Sequence, residues 1–452
     1  MNIIIAGCGK VGTELAGQLD NEDNQVTIID TNMEKLTHVS KTSDVIGYQG
    51  DCTGYHTQLD AGIENADLMI AVTDQDEKNM LACLIARKAG KCKTIARVRN
   101  PQYSDEIEYL KEELGLSMSV NPERAAAEDM VRLLRVPSAL DVDTFAKGKV
   151  NVIRLIVPED SVLNGLVIKD IGKKIGNKGL ICIVERDGNV TIPSGDSILQ
   201  AGDRISVAVA LADLNEFLDK SKIKTKKIQN VLIAGGGMMS YYLAKKLLSL
   251  HMSVKIIEKD KKRCQDLAEM LPKAMIINGD ATDRDLLIEE SIDKMDAVCA
   301  LMDHDEENIL LSLYVSKVCH AKQLTRMHRN SYEDMVGELP VGNIISTKKI
   351  TAEYILRFVR SMQNSYGSNV EALYRLADNK AEALEFTVGK GAEVTKAPIK
   401  DLNIIPNTLI CSIIRKGVVI RPGGNDHIHS GDSVVVVTTN TRLNGIDEII
   451  RG

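Results

Sequence analysis

Apolar and polar residues follow two patterns along this chain, and each pattern occurs twice. The first pattern consists of short apolar runs, separated by segments in which apolar residues recur every three to four positions. Unbroken apolar runs are typical of strands covered on both faces of a parallel sheet, and the longer spacing is typical of helices that pack on it. In the first copy, the runs predict strands over residues 3–6, 26–29, 45–48, 68–72, 94–98 and 118–120.

The second pattern begins after residue 140 and again after residue 375, where Gly, Pro and Asp separate short apolar segments. It predicts two small α+β modules of about 70 residues each. An apolar helix is predicted before each module, at 125–134 and 352–359. Because its apolar positions cover more than one stripe, either its own core or a neighbouring subunit is expected to cover them. The predicted module strands are 152–157, 180–185, 190–192 and 204–209, then 385–388, 409–415, 418–421 and 433–438.

The whole chain is an internal repeat, which explains why each pattern occurs twice. The glycine-rich segment 2–9 recurs as 230–237, and the Gly-Asp-Cys-Thr segment 50–53 recurs as Gly-Asp-Ala-Thr at 279–282. We therefore predict the α/β class, with two tandem Rossmann-like doubly wound parallel sheets, each followed by a small α+β module. The predicted domains are 1–140, 141–221, 228–375 and 376–452, and the basic stretch 222–227 is the predicted connector.

Composition and charge exclude several classes of protein. The 452 residues are 44% hydrophobic and 26% charged, which excludes a mainly disordered chain. No apolar run approaches the roughly 18 residues of a membrane-spanning helix, and no signal peptide is recognisable. A net charge of −7 argues against a nucleic-acid surface, and nine cysteines without a Cys-x-x-Cys pair indicate reduced thiols. We expect a cytoplasmic protein that does not bind nucleic acid.

A glycine motif follows the first predicted strand. Gly7, Gly9 and Gly12 have the spacing of a dinucleotide-binding turn, and the second predicted strand is followed by Asp30. Such a turn leaves backbone N–H groups at a helix start for phosphates, while the acid accepts hydrogen bonds from a ribose diol. Because the charge of Asp30 repels a 2′-phosphate, the motif predicts NAD(H) or an adenine nucleotide rather than NADP(H).

The second copy departs from this motif in two places. Its first two glycines are kept, but Ser240 stands where the third is expected. Met238 stands at the position of Lys10, so the second copy lacks a cation that is a possible partner for a terminal phosphate. Glu258 takes the place of the first copy's acid beside a cluster of basic residues, which blurs the discrimination against NADP(H). We therefore hypothesise two nucleotide sites with different preferences, the second one weaker.

Further polar residues follow the third, fourth and fifth predicted strands of each sheet. The carboxyl ends of such strands meet at the crevice where ligands bind in this fold class. Taken singly, each residue is as well explained as a turn former or a surface charge, so both interpretations stay open. The residues are Asp51, Thr73, Asp74 and Arg97 in the first copy and Asp280, Asp303 and Arg326 in the second.

The sequence offers no recognisable catalytic residues and no metal site. It lacks an acid or base with a substrate clamp, a Walker loop and a nucleophile elbow. His427 and His429 have no third ligand nearby in sequence, so a surface turn is expected there. Because a nucleotide that prefers one conformation can act as a signal, we expect a binding protein and no enzyme. The alternatives are an NAD(H)-dependent oxidoreductase, a redox-sensing transcription regulator, and a regulatory subunit of a different cation transporter.

Together these motifs resemble the RCK family, also called KTN, of regulatory subunits of bacterial and archaeal potassium transport. The motifs are Gly-Cys-Gly-Lys-Val-Gly at 7–12, Asp30, Gly-Asp-x-Thr at 50–53, Asp-x-Asp-Glu-x-Asn at 74–79 and Gly-Asp at 202–203. Two such units in tandem resemble the TrkA type of this family and cover the whole chain. The resemblance implies that NAD(H), or ATP and ADP, are regulatory ligands, and that nucleotide-dependent changes of an RCK ring gate a membrane potassium channel.

The resemblance also implies partners and binding residues. It implies a homotetramer of tandem chains beneath a membrane potassium channel subunit of the TrkH type, hence a cytoplasmic protein peripheral to the membrane. In some relatives a cation at the place of Lys10 and an acid at the place of Glu123 assist recognition of a terminal phosphate; the second copy has Lys348 near the latter place. The predicted helices at 125–134 and 352–359 resemble the family's crossover elements. The implied cofactor-binding residues are Gly7, Gly9, Lys10, Val11, Gly12, Asp30, Asp51, Cys52, Thr53, Thr73, Asp74 and Arg97 in the first copy, and Gly235, Gly237, Glu258, Asp280, Ala281, Thr282, Asp303 and Arg326 in the second.

Overall fold

A computed structural model describes the chain in two compact units. It covers residues 1–451 except 21, 23, 224–225, 329–332, 365–369, 378–379, 441–442 and 444. The first unit consists of residues 1–131 and 228–356, and the second consists of residues 132–227 and 357–452. Each unit therefore combines the corresponding parts of both repeats. Lys224 and Thr225 of the predicted connector lie outside the described residues.

The first sheet belongs to the first unit. Its strands are β1 (Asn2–Ala6), β2 (Gln25–Asp30), β3 (Val45–Gln49), β4 (Leu68–Ala71), β5 (Lys93–Arg97) and β6 (Met118–Val120). All neighbouring strands are parallel, and their order is β3-β2-β1-β4-β5-β6, the order of a dinucleotide-binding Rossmann sheet. The order reverses between β1 and β4, so a crevice forms at the carboxyl ends of these two strands.

Five helices connect the strands of this sheet, and a sixth follows its last strand. They are α1 (Lys10–Asp20), α2 (Met33–Ser40), α3 (Tyr55–Asp60), α4 (Asp76–Ala89) and α5 (Pro101–Leu110), then α6 (Pro122–Arg135). Every residue of β4 is buried, and α1 buries Val11, Leu15 and Leu19 against the sheet. The hydrophobic runs and stripes thus have the burial that the sequence pattern predicts.

The first small sheet belongs to the second unit. Its strands are β7 (Asp141–Phe145), β8 (Val150–Ile156), β9 (Gly179–Arg186), β10 (Asn189–Thr191) and β11 (Arg204–Ala210), and its helices are α7 (Ile171–Ile175) and α8 (Leu214–Lys220). The strands are antiparallel in the order β10-β9-β11-β8-β7.

The second half repeats both sheets. The parallel sheet of the first unit has strands β12 (Asn230–Ala234), β13 (Ser253–Glu258), β14 (Met275–Asn278), β15 (Ala297–Ala300), β16 (Lys322–Arg326) and β17 (Asn343–Ile345). Their order, β14-β13-β12-β15-β16-β17, is that of the first sheet. Its helices are α9 (Met238–Ser249), α10 (Lys261–Met270), α11 (Arg284–Glu289), α12 (Asp305–Val318), α13 (Glu333–Gly337) and α14 (Thr347–Asn364).

The second small sheet has strands β18 (Val370–Leu376), β19 (Ala381–Thr387), β20 (Thr408–Arg415), β21 (Val418–Ile420) and β22 (Ser433–Thr438). Their order is β18-β19-β22-β20-β21. Both small sheets contribute to one core of the second unit, in which Phe145, Ile183, Ala383 and Val435 are almost completely buried. The predicted fold class is confirmed: two Rossmann-like parallel sheets, each followed by a small antiparallel module.

Two strands of the small sheets were not predicted. β7 and β18 are edge strands, and each carries polar side chains between its apolar ones. An edge strand with one solvated face does not form an apolar run, so the search for such runs missed it. Because β18 begins at Val370 and pairs with β19, the second small sheet starts before the predicted domain boundary at residues 375 and 376.

The predicted apolar helices at 125–134 and 352–359 lie within α6 and α14. Met130, Leu134, Ile355 and Val359 are at most 1% exposed, so the chain itself covers most of the apolar surface that left two interpretations open. Tyr354 is 42% exposed. In the part of the chain that the structure describes, no helix is both long and apolar enough to cross a membrane.

Candidate functional site

The glycine turn between β1 and α1 has a different steric requirement at each glycine. Gly7 has φ = +104°, a conformation that disfavours other residues. A Cβ atom at Gly12 would lie 1.9 Å from the carbonyl oxygen of Gly7, so this glycine allows α1 to approach the turn. A Cβ atom at Gly9 would meet nothing within 4 Å. The open space at Gly9 is where a phosphate can approach the backbone.

The acid at the end of the second strand fixes this turn in both halves. The Asp30 carboxylate accepts hydrogen bonds from the backbone N–H groups of Cys8 (2.6 Å) and Asn32 (2.8 Å). Glu258 accepts the equivalent bonds from Gly236 (2.6 Å) and Asp260 (2.7 Å). Each acid therefore holds the phosphate-binding turn against the strand end and still presents carboxylate lone pairs to the crevice.

The residues after the third strand form a local turn. One carboxylate oxygen of Asp51 accepts bonds from the backbone N–H (2.9 Å) and hydroxyl (2.8 Å) of Thr53. These bonds from Thr53 lower the pKa of Asp51. Asp280 and Thr282 repeat the arrangement, with bonds of 2.8 and 2.7 Å. Thr53 and Thr282 thus support the aspartates and do not line the cavities described below.

A buried asparagine joins the ends of the fourth and fifth strands. The Asn79 side chain accepts a bond from the backbone N–H of Thr73 (2.8 Å) and donates to the carbonyl oxygen of Arg97 (2.9 Å). Asn308 makes equivalent bonds to Met302 (2.9 Å) and to the Arg326 carbonyl (3.1 Å). This explains the Asn of the Asp-x-Asp-Glu-x-Asn segments: it brings two strand ends together at the crevice.

A cavity of about 600 Å³ lies at the carboxyl ends of the first sheet. It collects most of the predicted residues of the first copy, but not Gly12 or Thr53, whose positions serve the turn geometry. The predicted residues that line it are Gly7, Gly9, Lys10, Val11, Asp30, Asp51, Cys52, Thr73, Asp74 and Arg97.

The second half of the chain also contributes to this first cavity. Arg326, Met327, His328, Thr347 and Lys348 line it. Arg326 was predicted to surround the nucleotide of the second copy. In the structure it lines the first cavity and is absent from the lining of the second, although one guanidinium N–H group lies 3.5 Å from the Asp303 carboxylate. This difference from the predicted position has a simple cause: the end of β16 faces the first half within the same unit.

Arg99 and Glu123 form an ion pair in the first cavity. The Arg99 Nε group donates to Glu123 Oε1 at 2.8 Å, and Glu123 is only 7% exposed. Sequence reasoning noted Glu123 but did not predict Arg99, Lys35, Lys78 or His328. Among these, Lys35 and Lys78 belong to helices α2 and α4 that open onto the crevice, so their helix positions are a signal that could have found them.

A second cavity of about 310 Å³ lies at the equivalent end of the second sheet. Gly235, Gly237, Glu258, Asp280, Ala281 and Asp303 line it, as the sequence predicts. Ser240 replaces the third glycine, and its fully buried hydroxyl lacks a hydrogen-bond partner among the described residues. Met238 begins α9 where Lys10 begins α1, so this turn lacks the cation of the first copy.

Burial depresses the pKa values of three basic groups that line the first cavity. It lowers the pKa of Arg97 and Arg326, which remain charged because a guanidinium group keeps its proton in proteins. It also lowers the pKa of His328, and the charges of Arg326 and Lys10 lower it further. His328 is therefore neutral at pH 7, beside permanent cations.

His427 and His429 line neither cavity. They are exposed on either side of the buried Ile428, in the turn before β22. The backbone N–H of His429 donates to Asp432, and the carbonyl of His427 accepts from Arg415. Within the described ranges, no group of three or more His, Cys, Asp or Glu residues could hold a metal ion.

Two family models match this arrangement of sheets. The TrkA-N domain model matches residues 3–122 and 231–347, which contain the two Rossmann-like sheets and their cavities. The TrkA-C domain model matches residues 152–222 and 383–451 in the small modules. The chain belongs to the TrkA family. Its resemblance to the tandem TrkA type is therefore confirmed.

Curated relatives of this TrkA-family chain match it from end to end. A Trk system potassium uptake protein TrkA homolog of Archaeoglobus fulgidus is 32% identical, with 100% of both chains covered. The Trk system potassium uptake protein TrkA of Haemophilus influenzae is 30% identical, with 96% of this chain and 95% of the relative covered.

Solved structures share the fold at lower sequence identity. The GsuK RCK domain has a TM-score of 0.63 and 16% identity, over 96% of this chain and 92% of that one. A GsuK channel bound to NAD has a TM-score of 0.63 and 17% identity, over 97% of this chain and 76% of that one. At this identity the likeness shows the tandem RCK fold of the TrkA-family chain.

Proposed function

We propose that this TrkA-family chain is a nucleotide-sensing regulatory subunit of potassium transport. NAD(H), or ATP and ADP, bind at the ends of the two Rossmann-like sheets, and the bound nucleotide changes the shape of an RCK ring that gates a membrane potassium channel. The ligand is a signal in this proposal and is not consumed. The binding residues are those named from the sequence, with Arg326 assigned to the first cavity.

The observation that carries the proposal is the first glycine turn with Asp30. A phosphate can approach Gly9 because its Cβ position is open, and the Asp30 carboxylate lies beside the turn, where one of its oxygens accepts a hydrogen bond from the backbone N–H of Cys8. These features suit a nucleotide with a free ribose diol. The family's curated relatives are named for potassium uptake, which supplies the proposed process.

The partner, the assembly and the location are further parts of the proposal. The chain assembles as a homotetramer, and it lies in the cytoplasm at the membrane through a channel subunit of the TrkH type. The predicted domains 1–140 and 228–375 are the nucleotide sensors, and 141–221 and 376–452 are the small modules attached to them. The last module begins with β18, before the predicted boundary.

Calorimetric titration of the full-length protein with NADH, NAD⁺, ATP and ADP tests the binding part, with the mass measured on the same sample by light scattering. We expect binding without turnover, to a tetramer. Absence of binding to all four ligands would contradict the proposal, and steady NADH consumption in the presence of a carbonyl substrate would favour the oxidoreductase alternative.

The gating part needs the membrane partner. A TrkH-type subunit reconstituted in vesicles with the full chain should show a potassium flux that depends on the nucleotide added. Vesicles without the chain are the control. An equal flux with and without nucleotide, at concentrations that saturate the chain, would contradict gating while leaving nucleotide binding intact.

A further inference from the structure

We propose that Asp51 and Lys78 contact the base of the nucleotide in the first cavity, and that Lys78 lets this cavity accept a 6-oxopurine nucleotide as well as an adenine nucleotide. This inference rests on the proposed function, because it concerns the base of the ligand in the same cavity. It goes further by adding a second class of ligand and by naming the residue that admits it.

The order of the strands locates the base end of the first cavity. Strands β1, β2 and β3 lie side by side, and Gly9, Asp30 and Asp51, which follow or end these strands in turn, all line the cavity. Gly9 lies at the turn that suits phosphates, and Asp30 suits the ribose diol. Because the ribose of a nucleotide lies between its phosphates and its base, a nucleotide bound in this way extends its base towards Asp51.

Lys78 forms an ion pair with Asp51 at this end of the cavity. Lys78 is the third residue of α4, and its ammonium nitrogen lies 3.8 Å from Oδ2 of Asp51. The other carboxylate oxygen, Oδ1, accepts the two bonds from Thr53. The side chains of Lys78 and Asp51 are 41% and 50% exposed, so a ligand can reach both of them.

A buried glutamine holds together the two segments that carry this pair. The Gln58 side chain is completely buried and donates to the carbonyl oxygens of Cys52 (2.7 Å) and Ala82 (3.0 Å). Cys52 follows Asp51, and Ala82 lies one helical turn after Lys78 on α4. The spacing of Asp51 and Lys78 is therefore set before a ligand binds, which reduces the cost of ordering them.

The pair matches two kinds of purine. Adenine presents its 6-amino group as a donor and N7 as an acceptor, whereas guanine presents O6 and N7 as two acceptors. Hydrogen bonds from Thr53 lower the pKa of Asp51 and the charge of Lys78 lowers it further, so Asp51 is an ionised acceptor at pH 7. The Lys78 ammonium group carries three donors. Asp51 therefore serves the 6-amino group of adenine, and Lys78 serves O6 and N7 of a 6-oxopurine.

The second half has a carboxylate at the position of Lys78. Glu307 is the third residue of α12, as Lys78 is of α4, and it lines the second cavity together with Asp280. Lys259 also acts on Asp280 through its charge, but it follows Glu258 at the ribose end of that cavity. Two carboxylates accept from a 6-amino group and repel the O6 atom of a 6-oxopurine. The second cavity therefore favours adenine nucleotides.

The test compares ADP with GDP by calorimetric titration of the full-length protein, because these ligands carry the same phosphates and differ only in the base. The variants are Lys78→Met, which removes the donors, and Lys78→Glu, which gives the first half the carboxylate of the second. The matched control is Lys35→Met, which removes another cation of the same cavity, one whose charge acts on Cys8 in the glycine turn.

We expect the tighter binding event of native protein to have a GDP affinity within about tenfold of its ADP affinity. Both Lys78 variants should raise the ratio of ADP to GDP affinity at least about tenfold, which is the value of one specific base contact. Lys35→Met should weaken ADP and GDP binding by the same factor, because a cation at the turn attracts the phosphates of both ligands.

The failures of the two proposals are distinguishable. If native protein binds ADP but binds GDP more than about tenfold more weakly, the inference is overturned and the proposed nucleotide site stands. The same holds if the Lys78 variants keep the native ratio, or if Lys35→Met changes the ratio as much as they do. If native protein binds none of ADP, GDP, ATP and NADH, both proposals fall. Since Lys78 is partly exposed, we expect its variants to unfold at the native midpoint in a thermal scan, which checks their folding.

Discussion

At the scale of single residues, the acid that ends the second strand has two roles in each half. Asp30 and Glu258 both accept two backbone hydrogen bonds, so each acid holds the turn as well as facing the ligand space. A functional role and a structural role are combined in one carboxylate. Substitutions there affect stability and binding together, and a matched pair of variants is needed to separate the two effects.

We predict that Asp30→Asn weakens nucleotide binding at the first cavity by at least about tenfold, because a charged acceptor for the ribose diol is lost. One backbone donor also loses its acceptor, which costs about 1–3 kcal/mol of stability. Glu258→Gln is the control: it makes the same change in the second half, and should lower stability equally while leaving the tighter binding event unchanged. Calorimetry and thermal unfolding measure both effects. Equal loss of the tighter site in both variants would contradict the assignment.

His328 predicts a pH dependence of polyphosphate binding. Burial lowers its pKa, Arg326 and Lys10 lower it further, and Asp305 and Asp303 oppose them, so the side chain is neutral at pH 7. A bound polyphosphate adds negative charge nearby and raises this pKa. Binding therefore takes up a proton on His328, and its affinity contribution increases as pH falls through the pKa of the bound form.

Calorimetric titrations with ATP in buffers of different ionisation enthalpy measure this proton uptake. ATP titrates in the same pH range, so the difference between native protein and His328→Gln isolates the histidine. We expect native protein to take up more protons than the variant between pH 6 and 7, as its ordinary pKa lies near 6.5. Equal proton uptake in both proteins would mean that the bound phosphates do not reach His328.

The sequence predicts one part of the first cavity well and the other poorly. Gly7, Gly9 and Asp30 belong to one strand–turn–helix–strand segment, so their spacing alone predicts that they meet. Arg326, His328 and Lys348 reach the same cavity through the packing of two sheets in one unit. That packing depends on the surfaces of both halves. The spacing of residues within one segment of the sequence therefore does not predict it. Arg326 was therefore assigned to its own copy.

At the scale of elements, the glycine turn separates two effects of adding a methyl group. Gly9→Ala places a Cβ in open space, and its φ is not in the positive region, so we expect the thermal unfolding midpoint to be unchanged. The methyl group occupies the space of the phosphates, so nucleotide affinity should fall at least about tenfold. Gly12→Ala places a Cβ 1.9 Å from the Gly7 carbonyl oxygen. It should cost at least about 2 kcal/mol and lower the midpoint by about 4–8 °C.

The two variants are controls for each other. Differential scanning fluorimetry gives the midpoint, and calorimetry with NADH and ATP gives the affinity. A normal midpoint for Gly12→Ala would contradict the close approach of α1 to the turn. Full nucleotide affinity in Gly9→Ala would show that the phosphates lie elsewhere.

Elements with two covered faces were easier to predict than edge strands. The central strand β4 is buried from end to end and β1 is buried from Ile3 to Ala6, so each contains an apolar run with sharp limits. In β7, polar Asp141 and Asp143 alternate with apolar Val142, and the segment resembles a loop in composition. Its identity as a strand comes from pairing with β8, which is a tertiary interaction. The same reason explains the missed β18.

At the scale of the whole molecule, the two halves are joined inside each compact unit as well as by the connector. In the first unit, the Asn121 amide donates to the Tyr242 hydroxyl at 3.0 Å. In the second unit, Tyr374 donates to the Thr144 carbonyl at 2.7 Å, and the backbone N–H of Ala146 donates to Glu385 at 3.0 Å. The covalent repeat therefore behaves as an intramolecular dimer of two non-identical halves. Because the halves pair in this way, the second half still contributes lining residues to the first cavity, although its own turn has no equivalent of Lys10 and no third glycine.

We predict that the two halves stay together after the connector is cut. A protease site is inserted between Lys226 and Lys227, and the full chain is purified before cleavage. Because the core of the second unit takes buried residues such as Ile183 from one half and Val435 from the other, separation would expose apolar surface and is unfavourable. The cleaved fragments should co-elute on size exclusion with the mass of the uncleaved assembly and keep the ATP affinity.

The same protease treatment of the chain without the inserted site is the control. Fragments that elute separately, or that bind ATP as well alone as together, would contradict a cavity completed by the second half.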